Sequence, residues 1–148
     1  MKTLSLMRVL VGAWLVLPIL VWAQDSAEEP EVIGVEMARP DGTFMGLAVE
    51  GNRFVLRFYD AEKKLIDPDV ARAAVWWDPR NTAGRERAVL NPQGDGLVSP
   101  PKVRPPLVFR AMVTLLNEEG SSTGSYSFNL QDLDKPKPDA AAGGSSRY

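Results

Sequence analysis

The sequence predicts an all-β fold: an antiparallel β-sandwich of about seven short strands, with a small β-barrel as the alternative. Three observations predict it. Apolar residues recur with a period of two in many short segments. Clusters of Pro, Gly, Asn and Asp punctuate those segments at fairly regular spacing. Helical spacing is almost absent between residues 32 and 130.

The elements follow in chain order. VIGVEMA (Val32–Ala38) places Ile33, Val35 and Met37 on one face of a strand. Pro40-Asp41-Gly42 is a turn, because proline presets φ and glycine accepts a positive φ. TFMGLAVE (Thr43–Glu50) completes a hairpin, and Gly51-Asn52 turns the chain again. RFVLRFYD (Arg53–Asp60) is the clearest strand: Phe54, Leu56 and Phe58 face the core, and Arg53, Val55, Arg57 and Tyr59 face the other way. Leu65-Ile66 is a short extended piece. Asp67-Pro68-Asp69 is suited to start a helical turn through Arg72, with Asp as cap and Pro at the first helical position.

AAVWWD (Ala73–Asp78) and RERAVL (Arg85–Leu90) are strands, and NPQGDG (Asn91–Gly96) is turn chemistry throughout. Leu97-Val98 reads as a short edge piece. The four prolines of SPPKVRPP (Ser99–Pro106) lack donors, so this segment is an extended crossover outside any ladder. LVFRAMVTLL (Leu107–Leu116) and SYSFNL (Ser125–Leu130) are the last strands, joined by the polar loop NEEGSSTG. Residues 24–31, QDSAEEPE, read as a flexible acidic arm. Residues 131–148, rich in Lys-Pro pairs, Ala, Gly and Ser, read as a disordered tail, because they bury too little apolar surface to offset chain entropy.

The stretch FVLRFYDAEKKLIDPDVARAAVWW resembles exported bacterial immunoglobulin-like and transthyretin-like β-sandwich domains. In those domains a strand ends in Asp, a turn carries a short apolar pair, and an Ala-x-Val strand follows. Phe54–Asp60, Leu65-Ile66 and Ala74–Trp76 carry the likeness. The resemblance implies an immunoglobulin-like sandwich and no particular function. The Cys pair around a Trp that marks antibody domains is absent.

The start of the chain bears on compartment. Lys2 and Arg8 precede an uncharged apolar run from Val9 to Trp22, and Val21 and Ala23 are small enough for a signal-peptidase site. Residues 1–23 therefore read as a signal peptide cut after Ala23, which predicts export to the periplasm or exterior of a bacterium. The alternative is a retained anchor, but the run contains Gly12 and Pro18 and is shorter than the about 20 apolar residues of a spanning helix. No membrane span is expected after cleavage. Residues 32–130 form one domain, which has to fold without disulfides because the chain contains no cysteine.

Charge is uneven along the chain. The totals are 17 Lys+Arg and 19 Asp+Glu, for a net charge of −2. Residues 24–52 carry one basic and seven acidic residues, and residues 53–110 carry 11 basic and seven acidic. That mid-chain excess is too small and too dispersed for a nucleic-acid footprint.

The histidine count is zero, which excludes Ser-His-Asp and Cys-His catalysis within the chain and Cys/His zinc sites. Asp67, Asp69 and Asp95 lie in segments too poor in carboxylates for a calcium loop. Neither a metal nor a cofactor is expected, and no residue is assigned a catalytic role. Carboxylate pairs able to hydrolyse a glycoside would need a deep acidic cleft.

Trp76-Trp77 stands out. Adjacent strand residues point to opposite faces, so one indole faces outward unless something covers it. The candidate covers are the proline crossover and the Arg57–Tyr59 face, where a cation–π contact would form. Trp76, Trp77, Arg57 and Tyr59 are thus the candidate binding residues. The expected function is a non-enzymatic interaction module with an envelope or extracellular protein as partner. The alternative is a carbohydrate-binding module that uses an exposed Trp.

Overall fold

The computed structural model describes residues 30–135. The expected signal peptide with its expected cut after Ala23, residues 24–29 of the expected arm and residues 136–148 of the expected tail lie outside the described residues.

The described chain is all-β. Its strands are β1 (Val35–Ala38), β2 (Phe44–Glu50), β3 (Arg53–Tyr59), β4 (Leu65–Ile66), β5 (Arg72–Trp77), β6 (Glu86–Gln93), β7 (Gly96–Val98), β8 (Arg110–Leu116) and β9 (Ser122–Asn129), followed by a 3-10 helix, Leu130–Asp134. All pairings are antiparallel, in the order β1-β2-β3-β7-β6-β5-β8-β9, with β4 on β3. Strand β6 joins two halves of the sheet: Glu86–Leu90 pair with β5, and Asn91–Gln93 pair with β7. The sheet curls so far that β1 comes to lie beside β9 and the 3-10 helix. The result is a nearly closed, barrel-like sheet, close to the alternative the sequence allowed.

The core lies between the two halves. Met45 and Leu47 of β2 and Phe54, Leu56 and Phe58 of β3 face Ala73, Val75 and Trp77 of β5 and Ala111, Val113 and Leu115 of β8. Three rings form its densest part. Phe54 meets Trp77 edge-on at 5.0 Å and Phe109 at 6.4 Å, while Trp77 stacks on Phe109 at 6.2 Å. Trp77 is therefore a core residue, 1% exposed, and stands away from the surface where the sequence offers it as a binding residue.

The face of β3 expected to meet water is partly closed. Val55 and Tyr59 are 5% and 3% exposed. The segment before β1 crosses this outer face: Val32 is fully buried, and the Ile33 N–H donates to the Tyr59 hydroxyl at 3.1 Å. The crossing is close because β2 carries Gly46 beneath it. A Cβ there would stand 2.2 Å from the Ile33 carbonyl oxygen.

Other local differences have equally local causes. The helical turn expected from Asp67 to Arg72 is absent. Asp69 instead accepts from Arg39 at 2.8 Å, and the Ala71 N–H donates to the Leu116 carbonyl, which leads the chain straight into β5. Asn91-Pro92-Gln93 extend β6, so the turn shrinks to Gly94-Asp95. Proline is tolerated there because β5 has already left β6 at Leu90, and one flank of the strand needs no donor.

The crossover Ser99–Pro106 runs outside the ladder as expected. It is anchored by buried Val103 and by Ser99, whose hydroxyl accepts from the Phe54 N–H at 2.9 Å. Order also continues past residue 130. The Asn129 side chain caps the 3-10 helix, Leu130 is buried and Leu133 packs against the core.

These contacts separate the two tryptophans energetically. Trp77→Ala is expected to cost about 3–5 kcal/mol, and Trp76→Ala about 1 kcal/mol or less, read as unfolding midpoints in urea. Gly46→Ala has to push the crossing segment off β2, so it should lower the midpoint and speed amide exchange at Ile33.

Candidate functional site

The parity that buries Trp77 turns Trp76 outward, where it is half-buried on the outer face of β5. The neighbouring strands set the surroundings. Trp76 lies opposite Arg87 of β6 and Met112 of β8, and Met112 lies opposite Ser127 of β9. One row further along, Ala74 lies between Val89 and Thr114. Val89 is 44% exposed, which is unusual for a large apolar side chain in this fold. Towards the other end of the strand stand Asp78 and Arg110.

Trp76 separates two shallow grooves. One, of about 480 Å³, runs along β8 past Asp78, Arg80, Arg110, Met112 and Ser127. The other, of about 670 Å³, runs along β6 between Ala74, Val89 and Arg87 on one side and Pro100 and Lys102 of the crossover on the other. The crossover thus walls a groove beside Trp76 and does not bury it.

A guanidinium covers one face of the indole. Arg85 sits 3.8 Å from the ring centroid. It is held there by Asp78, with Nε donating to Oδ1 at 3.0 Å and Nη2 to Oδ2 at 3.3 Å. The hydrogen bonds from Arg85 hold the Asp78 carboxyl below the usual aspartate range.

The other two candidates lie elsewhere. Arg57 and Tyr59 are on the outer face of β3, in the other half of the sheet. The Arg57 side chain is 12% exposed. It donates to both carboxylate oxygens of Glu50, at 2.8 and 3.2 Å, and through Nε to Asp95 at 3.2 Å. These bonds outweigh its burial and raise its pKa further. Arg57 is a clamp joining β2, β3 and the β6–β7 turn, and Tyr59 is capped by the segment before β1. Neither stands near Trp76, and the cation on that indole is Arg85.

Of the four predicted residues, only Trp76 is in the site. Arg85, Arg87, Val89, Arg110 and Met112 were missed. Their parity was readable, since Ala88, Leu90, Ala111 and Val113 alternate with them as core residues. Their meeting around one tryptophan was not, because it depends on β6 and β8 both pairing with β5.

Among the described residues no group of three or more His, Cys, Asp or Glu could hold a metal, and every buried side-chain polar atom has a partner. No helix among them is long and apolar enough to cross a membrane.

The Arg85–Asp78 pair carries a pH dependence of known sign. A depressed carboxyl pKa means that the pair persists above it and is lost as pH falls through it. The Trp76 indole N–H resonance should therefore shift with a midpoint below the ordinary aspartate value of 3.8, and Asp78→Asn should abolish that titration. No protein-family model, curated protein or solved structure matches this chain.

Proposed function

We propose that this protein is an exported, non-enzymatic binding module that docks a protein of the cell envelope or exterior on the Trp76 face. The observation that carries this reading is the half-buried Trp76 standing between two grooves on an otherwise open sheet face. A large aromatic fixed by a rigid strand, with an apolar recess on one side and a charged one on the other, has the form of an interface anchor. Lys2 and Arg8, the uncharged apolar run after them and the small residues Val21 and Ala23 support export.

The absence of histidine and cysteine from the sequence supports a non-enzymatic role. So does the engagement of the carboxylates Glu50, Asp69, Asp78 and Asp95 in ion pairs with arginine. Sugar stacking on Trp76 is the weaker reading. Arg85, held by Asp78, covers one face of the indole, so a sugar on that face has to displace a bound guanidinium.

A photoreactive side chain at Met112 tests the reading in the cells that make the protein. A discrete protein adduct is expected from Met112, none from Lys64 in the other half of the sheet, and loss of the adduct with Trp76→Ser. Equal labelling from both positions would sink the proposal. A saturable change in tryptophan fluorescence with neutral cell-wall glycans would favour the sugar reading instead.

A further inference from the structure

The charges around Trp76 are one-sided. Arg72, Arg87 and Arg110 stand on the outer face of β5, β6 and β8, Arg80 follows β5, and Lys102 walls the β6 groove. Among the described residues none of these five has a carboxylate within ion-pair distance. Asp78 is the one acid lining the grooves, and Arg85 occupies it. The contrast lies within the same molecule. On the other half of the sheet Arg39, Arg57 and Lys63 are paired with carboxylates, while Arg53 and Lys64 stand apart from one another without an ion pair among the described residues.

Resting on the proposed docking face, we infer that the partner presents an acidic polypeptide segment with an aliphatic side chain among its carboxylates. The carboxylates meet Arg87, opposite Trp76 on β6, and Arg110, which lies two residues from Met112, the β8 residue opposite Trp76. The aliphatic side chain enters the groove between Val89, Ala74 and Pro100. Arginine's planar fork suits carboxylates in this role, and its weak hydration lowers the cost of contact.

Three observations favour this occupant over other polyanions and over a second copy. The β6 groove is lined mainly by Ala74, Val75, Ala88, Val89 and Pro100, which suits an aliphatic side chain and offers little to a sulfated sugar or a phosphate backbone. The indole face under Arg85 is closed to bases and sugar rings unless the guanidinium moves. A two-fold dimer through this face would set the five cations of one copy against those of the other, which is repulsive.

The test uses the full chain and a fluorescein-labelled peptide of six glutamates around a central leucine, followed by anisotropy. Saturable binding is expected. It should weaken with rising salt, fall roughly tenfold when Arg87→Glu and Arg110→Glu are combined, and be unchanged by Lys64→Glu. Replacing the leucine by glycine should also weaken it. Near-UV circular dichroism confirms that the variants fold, and the milder pair Arg87→Gln and Arg110→Gln should give an intermediate loss.

No binding, or equal loss with Lys64→Glu, overturns the inference. Tighter binding of a heparin hexasaccharide or an oligothymidine than of the peptide overturns it in favour of another polyanion. Tighter binding of a peptide with the chain's own residues 24–31 overturns it in favour of this protein itself as the occupant. Adducts at Met112 without peptide binding would leave the docking reading standing and remove the acidic partner.

Discussion

The edge-on contact between Phe54 and Trp77 organises this molecule. The two rings belong to β3 and β5, which share no hydrogen bonds and sit in opposite halves of the sheet. Their contact, extended by Phe109, closes the halves over one core. Strand residues alternate between faces, so fixing Trp77 inward leaves Trp76 no direction but outward. The same rule carries outward Arg87 beside inward Ala88, and outward Met112 between inward Ala111 and Val113. The strand residues of the candidate site are the reverse side of the core, and none of them could move to the other face without a register slip through the half-sheet.

The two outer faces of the sheet differ because their local chemistry differs. Over β2 and β3, Gly46 leaves room for the backbone of Ile33, Val32 is buried, and Tyr59 receives the Ile33 N–H. Arg57 then ties Glu50 to Asp95 beside them. That face is partly covered, and Arg39, Arg57 and Lys63 are paired there. Over β5 and β8 no segment among the described residues crosses Trp76, and the arginines point to solvent. The asymmetry leaves Arg72, Arg80, Arg87, Arg110 and Lys102 without ion pairs among the described residues around Trp76, whereas exposed apolar side chains occur on both sides, Ile33 and Leu65 on one and Val89 on the other.

Much of the fold was legible in particular residues. Phe54-x-Leu56-x-Phe58 identified β3, Asp41-Gly42 marked a hairpin turn, and the prolines of residues 99–106 marked a crossover outside the ladder. The failures share a cause. Tyr59 had the parity of a surface residue, yet a segment from elsewhere in the chain covers it. Asp67-Pro68-Asp69 had the chemistry of a helix start, yet Asp69 pairs with Arg39 and Ala71 bonds to Leu116. Asn91-Pro92 had the chemistry of a turn, yet only one flank of β6 remained paired there. In each case a contact distant in sequence overrode a sound local preference.

The sequence by itself determined that the domain is all-β, that it needs neither disulfide nor histidine chemistry, and that one of two adjacent tryptophans faces outward. Those properties follow from composition and from a period of two, which are local. The tertiary structure alone decided which indole that is, which cation covers it, and that β6 and β8 flank it with arginines. Strand neighbours are set by the balance of core packing and ladder hydrogen bonds over the whole sheet. Arg85, Arg87 and Arg110 therefore converge on Trp76 only once β6, β5 and β8 have paired.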